Sequence, residues 1–131
     1  FFKNGYTYNK KTKKIIKAII PVHFHGRCCD MERLSQIADT YKLVLVEDSC
    51  KAMYCQTQSG FVGTIGDVGC FSLGMISLIS IGYGGFILTD NDGIYTFCAS
   101  QSSKEESDPP ARLKIIVHYG ILLKHYKVLY E

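Results

Sequence analysis

Three places in this sequence put reactive side chains where a short apolar run ends. Glu47-Asp48-Ser49 follows the run 43–46 (LVLV). An acid just beyond a buried strand can hold a protonated ring nitrogen of a cofactor, cap the next helix, or ligate a metal. Cys70-Phe71-Ser72 precedes a glycine-bearing turn, where a serine hydroxyl can donate to a phosphate beside backbone N–H groups. His23-x-His25 puts both rings on one face if a strand continues through them, a conceivable metal pair with Cys28 or Cys29 as third ligand. Other chemistries lack their residues. The glycines at 60, 63 and 66 form no P-loop, because no Lys-Ser/Thr follows them at the required position. There is no G-x-S-x-G elbow, and no set of nucleophile, base and orienting group stands out.

The six cysteines do not fit a metal or disulfide framework. Cys28 and Cys29 are adjacent, Cys50 and Cys55 are spaced C-x4-C, and Cys70 and Cys98 stand alone in apolar runs. Zinc sites are built from C-x2-C pairs, which this pattern does not contain. The expectation is six free thiols behaving as small buried hydrophobes, in a reducing, cytoplasmic setting.

The 131 residues suit one domain, and 47% hydrophobic with 21% charged residues excludes wholesale disorder. A net charge of +3 is too small for a nucleic-acid-gripping protein. No apolar run reaches the ~18 residues of a membrane span, since 69–88 is broken by glycines and serines. Neither nucleic acid nor membrane is therefore an expected partner. The chain opens on Phe1 and stops inside an apolar pattern, so it is read as a piece of something longer or a processed product.

The elements that must position these residues follow from hydropathy. Residues 1–14 are aromatic and basic, and read as a solvated lead-in. The run 17–22 (KAIIPV) suits the end of a buried strand. Asp30 reads as an N-cap, after which Leu34, Ile37, Ala38 and Tyr41 recur at helical spacing with one face inward. The run 43–46 is a strand covered on both faces, which completes a βαβ unit with a right-handed crossover. Glycine-rich 59–69 predicts loop and turns. Residues 68–73 and 85–89 predict two strands joined by a turn at Gly82-Tyr83-Gly84. Asn91 or Asp92 caps a short helix through Ala99, 101–110 is a surface loop, and 113–129 is assigned to helix. Strands alternating with helices predict an α/β fold with a mostly parallel sheet, whose ligands collect at the carboxyl ends of the strands.

Three segments together resemble a known family. AIIPVHFHG at 18–26, VEDSCKA at 46–52 and GFVGTIGDVGCFSL at 60–73 are similar to the DegT/DnrJ/EryC1/StrS aminotransferases, pyridoxal-phosphate (PLP) enzymes acting on nucleotide-linked keto-sugars. His118-Tyr119-Gly120 also resembles the Asn-His-Gly that ends the corresponding family helix. The likeness runs over about 12–120. It implies a fold-type-I, three-layer α/β architecture, with 1–131 forming part of the large, PLP-binding domain and the small C-terminal domain absent.

The resemblance also assigns roles position by position. Asp48 matches the aspartate paired with the pyridine nitrogen, and Ser72 matches a serine that holds the cofactor phosphate. Lys51 stands where a glutamine usually sits beside the ring hydroxyl. Ser77 stands where the family lysine forms the Schiff base; a hydroxyl cannot form an imine. Some relatives carry histidine there and dehydrate the sugar with pyridoxamine phosphate (PMP). The usual Gly-Glu-Gly-Gly is Gly82-Tyr83-Gly84-Gly85. Lys51 is the one nearby amine that could substitute for the missing lysine.

The implied function is that of a nucleotide-sugar aminotransferase of surface-polysaccharide synthesis, such as lipopolysaccharide, using glutamate and a nucleotide-linked keto-sugar. The chain itself is expected to be degenerate and inactive alone, a pseudoenzyme. Two alternatives accompany this reading. One is a non-catalytic partner in a homo- or hetero-dimer with a lysine-bearing homologue, or a relative of the PMP-dependent dehydratases. The other is a binding module using the His23/His25 and Cys28/Cys29 corner.

Overall fold

A computed structural model describes residues 1–74, 76–81 and 84–102, and the backbone of 127–130. Its centre is a five-stranded sheet in the order β10-β9-β8-β5-β4. The strands are β4 (Ala18–Ile19), β5 (Val44–Asp48), β8 (Val68–Ser72), β9 (Gly85–Thr89) and β10 (Lys127–Tyr130). β4 pairs parallel with β5, and β5 parallel with β8. β9 is antiparallel to both β8 and β10, so β9 alone runs against the other four strands. The sheet is mixed and mostly parallel, as the alternation of elements predicts.

Helix α1 (Met31–Tyr41) makes the crossover from β4 to β5. The Asp30 side chain accepts from the Arg33 N–H at 3.1 Å, the expected N-cap. Lys42, in the left-handed region at φ 54°, ends the helix by donating its N–H to the last turn. Met31 and Ala38 bury against Leu45, with Leu34, Ile19 and Ile65 around them. Tyr41 does not join that face. It is 40% exposed and meets Phe2 edge-on, because the N-terminal segment lies alongside the helix end.

Strand register places the two helices on opposite faces. Leu45, Glu47 and Phe71 point toward α1. Val46, Asp48, Cys70 and Ser72 point to the other side, where α2 (Asp92–Ser102) brings Cys98 beside Cys70. Asn91 is the cap of α2, its Oδ1 accepting from the N–H groups of Gly93 and Ile94.

Several expectations are corrected. Residues 1–16 form a three-stranded antiparallel meander, β1 (Phe2–Lys3), β2 (Tyr6–Tyr8) and β3 (Ile15–Ile16). Its turns use Asn4, Gly5 and Lys13 at positive φ. β4 is a half-buried edge strand, since no described strand lies beyond it. A small hairpin, β6 (Gln56–Thr57) with β7 (Gly60–Phe61), interrupts the stretch assigned to loop, and the Glu32 carboxylate fastens it to α1 through Ser59. α2 runs three residues past Ala99, so Gln101 and Ser102 are helical. Residues 127–130 are strand rather than helix, because their backbone completes the exposed edge of β9. The rest of the 113–129 helix, residues 103–110 of the loop, and the His118-Tyr119-Gly120 motif lie outside the described residues, as do Gly82 and Tyr83. Among the described residues no helix is long and apolar enough to cross a membrane.

Candidate cofactor site

Asp48 ends β5 and Ser72 ends β8, its parallel neighbour. Asp48 is level with Cys70, and Ser72 lies two residues further along, so both acidic and hydroxyl side chains project from one face at the carboxyl ends of adjacent strands. The backbone of Asp48 is fixed on its other edge too: its N–H donates to Pro21 O at 2.8 Å, and its carbonyl accepts from His23 N–H at 2.9 Å.

The Asp48 carboxylate is half-buried and accepts from the Cys50 N–H at 3.1 Å through Oδ1. The Cys50 thiol interacts with the same carboxylate, and a carboxylate's roughly four lone-pair sites leave it able to accept from a further donor. Burial, reinforced by this carboxylate, pushes the Cys50 thiol up to about 11. A thiolate beside Asp48 would be desolvated and repelled, so the negative charge of this corner belongs to Asp48 alone.

Ser72 sits in a short chain of donors. Its Oγ accepts from Gly74 N–H at 3.1 Å and from the Ser77 hydroxyl at 2.9 Å. With both lone pairs taken, its own O–H remains as a donor, the function a phosphate oxygen needs. Ser77 is further held by its N–H to Gly74 O at 3.0 Å. The Lys51 amine donates to Ile76 O at 2.7 Å, tying the loop after Asp48 to the residue just before Ser77. Asp48, Lys51, Ser72 and Ser77 therefore converge on one end of the sheet.

The histidine pair does not form. His23 is completely buried, with Nδ1 accepting from Cys29 N–H at 3.1 Å and Nε2 3.1 Å from Glu47 Oε2. With Nδ1 an acceptor, Nε2 carries the proton and donates. His25 lies in the left-handed region at φ 49°, its ring against Phe24, because the strand has ended at Ile19. Both nitrogens of His23 are thus committed, and among the described residues no group of three metal-binding side chains gathers. All six cysteines are free, as expected, but each is only half-buried.

Sequence reasoning missed what Glu47 does. Its side chain points away from Asp48 and is wholly buried. Oε2 accepts from Gly63 N–H at 2.7 Å as well as from His23, while Oε1 accepts from Ile65 N–H at 2.8 Å and Gly66 N–H at 2.6 Å. The glycine-rich turn is wound around one carboxylate. The available signal was the spacing: three glycines where backbone N–H groups must approach a buried acid closely.

The site residues fit a pyridoxal-type cofactor in chemistry: a carboxylate that can accept from a ring nitrogen, and a hydroxyl donor for a phosphate two residues along the next strand. Comparison with known proteins identifies the family. Residues 7–109 match the DegT/DnrJ/EryC1/StrS aminotransferase family, and the chain belongs to it. It is 35% identical to GDP-perosamine synthase of Escherichia coli O157:H7 over 82 residues, covering 63% of this chain and 22% of that protein. It is 36% identical to the spore coat polysaccharide biosynthesis protein SpsC of Bacillus subtilis over 76 residues, covering 58% of this chain and 20% of that one. Among solved structures it resembles a GDP-4-keto-6-deoxymannose-3-dehydratase variant with bound GDP-perosamine, at TM-score 0.58 and 30% identity over 63% of this chain and 21% of that chain. Another structure of that dehydratase holds a trapped PLP–glutamate geminal diamine, with TM-score 0.61 and 24% identity over 76% of this chain and 28% of that one. The chain spans about a fifth of the length of the curated relatives it matches.

Proposed function

We propose that this chain is part of the large domain of a nucleotide-sugar aminotransferase or dehydratase lineage, one that keeps the cofactor cradle and has lost the covalent anchor. The observation that carries this reading is the shared face of Asp48 and Ser72 at the ends of adjacent parallel strands, with Ser77 hydrogen-bonded to Ser72 where the family places its lysine. Asp48 would hold the protonated pyridine nitrogen and Ser72 would donate to the phosphate. When bound, the cofactor supplies an electron sink for a substrate carbanion.

The chain's own residues then bind and orient without forming an imine. Ser77 keeps the Ser72 hydroxyl aimed by occupying one of its lone pairs. Lys51 is a positioning residue, its amine spent on the Ile76 carbonyl. Without a lysine at position 77 the chain is inactive in amino transfer by itself, a pseudoenzyme. The likeness to GDP-perosamine synthase and to a keto-sugar dehydratase supports a GDP- or other nucleotide-linked keto-sugar as the lineage's substrate, with glutamate as amino donor. It also supports a role in surface polysaccharides such as lipopolysaccharide. Free thiols support a reducing, cytoplasmic location.

The test is an absorption titration with PLP and with PMP. Saturable binding that weakens at least tenfold in Asp48→Ala and Ser72→Ala supports the cradle. Binding that neither substitution changes contradicts it.

A second reading is favoured by the apolar surface beside the β4 edge, where Ile20, Val22 and Phe24 are 64%, 51% and 61% exposed. There the chain is the non-catalytic member of a dimer with a lysine-bearing homologue. Co-purification of such a homologue tests it.

A further inference from the structure

Two thiols outside the cofactor cradle face each other across two loops. Cys55 Sγ lies 3.4 Å from Gly26 O, and Cys28 Sγ lies 3.9 Å from Gln56 O, so each sulfur reaches into the loop that carries the other. The two thiols are near enough to act on each other electrostatically. Gly26 turns the first loop at φ 76°, in the region that favours glycine, and a Cβ there would stand in ordinary contact with Cys55 Sγ at 3.8 Å, which puts the two loops side by side. Both cysteines are only half-buried, so small oxidants reach them. The neighbouring thiols are turned elsewhere: Cys29 Sγ to Val22 O at 3.4 Å, and Cys50 Sγ to Cys70 O at 3.8 Å.

We propose that Cys28 and Cys55 are a redox-reactive pair that closes to a disulfide when the chain meets a hydroperoxide, latching the 22–29 corner to the loop that follows Asp48. One thiolate attacks the peroxide oxygen to give a sulfenic acid, releasing the alcohol, or water from hydrogen peroxide. The second thiol displaces the sulfenic hydroxyl as water, so two S–H bonds and one O–O bond are exchanged for one S–S bond and two O–H bonds. The two loops already share a backbone bond, Gly26 N–H to Lys51 O at 3.1 Å. The latch makes that junction covalent beside Lys51, whose amine holds Ile76. Burial, then the adjacent Cys55, raises the Cys28 thiol above its ordinary value, so the reaction accelerates as the solution becomes alkaline. The pair's chemistry does not rest on cofactor binding.

The experiment is hydrogen peroxide treatment of the full chain at pH 7 and pH 9, alkylation of residual thiols, and non-reducing peptide mapping. The expected product is a peptide pair joined through Cys28 and Cys55, lighter by about 2 Da than the reduced pair. It forms faster at pH 9 and reverts with dithiothreitol. Cys50→Ser leaves the link in place, whereas Cys55→Ser removes it and returns Cys28 to the unlinked pool. A map in which Cys28 or Cys55 joins a different cysteine, or in which both remain unlinked after the peroxide is consumed, overturns the proposal.

Discussion

His23 Nε2 lies 3.1 Å from Glu47 Oε2, and neither side chain has any exposed surface. The pair joins the corner after β4 to the end of β5. Through three further hydrogen bonds, the same carboxylate organises the turn that enters β8. Asp48 sits on the next residue of the strand, so the geometry of the cofactor face depends on a buried acid that faces the other way.

Glu47→Ala therefore leaves three backbone N–H groups and one imidazole N–H without their acceptor. Each unsatisfied buried group costs about 1–3 kcal/mol, so the four together cost at least ~4 kcal/mol. That is a large part of the stability of an ordinary domain. Urea denaturation measures it. A loss under 1 kcal/mol would mean the turn does not depend on the carboxylate.

Ser49 gives the opposite sign. Its hydroxyl is fully buried, 3.0 Å from where a Cβ on Gly63 would stand, and it has no hydrogen-bond partner among the described residues. Removing an unpaired buried hydroxyl removes a desolvation penalty, so Ser49→Ala is stabilising by up to ~1 kcal/mol. A drop in the urea midpoint would show that the hydroxyl has a partner.

Gly69 tests the packing of the same turn. A Cβ there would stand 1.9 Å from Gly63 O, a collision with backbone that no rotamer relieves. Gly69→Ala is expected to cost about 3 kcal/mol or more by overpacking. Gly93→Ala, in the first turn of α2, is expected to change stability by less than about 1 kcal/mol. Equal melting temperatures for the two variants would contradict the close approach.

The charge of Asp48 is readable through its neighbour. Burial and the Asp48 carboxylate together raise the Cys50 thiol to about 11, so Cys50 alkylates slowly near neutrality and gains reactivity only as pH approaches that value. Asp48→Asn removes the repulsion, which lowers the thiol's pKa and brings the rise in alkylation rate to lower pH. Peptide-resolved iodoacetamide kinetics follow Cys50 separately from the other five cysteines. An unchanged profile in Asp48→Asn would mean the two groups do not interact.

How far the sequence reaches is clear from individual residues. The βαβ unit was legible because Asp30 is a local cap, the spacing of Leu34 and Ala38 is a local period, and 43–46 is a local apolar run. Asp48 and Ser72 were legible because both end such runs in a mostly parallel sheet. Three features were not. The meander of residues 1–16 has one legible turn, Asn4-Gly5, but its second rests on Lys13 at positive φ, a residue that signals a turn far less clearly than glycine. Lys127–Tyr130 is strand because the edge of β9 needs a partner, a long-range demand that outweighs local periodicity. Glu47 was read together with Asp48 because they are adjacent, yet alternation along β5 sends them to opposite faces.

The central claim is a cofactor cradle without a covalent anchor, and borohydride reduction of the PLP-saturated chain followed by peptide mapping tests it most directly. The account predicts saturable PLP binding with no reduced adduct on Lys51 or any other lysine, and an adduct that appears at position 77 in Ser77→Lys. A stoichiometric adduct on Lys51 in the unaltered chain, or a Ser77→Lys variant that binds PLP but traps none, would contradict it.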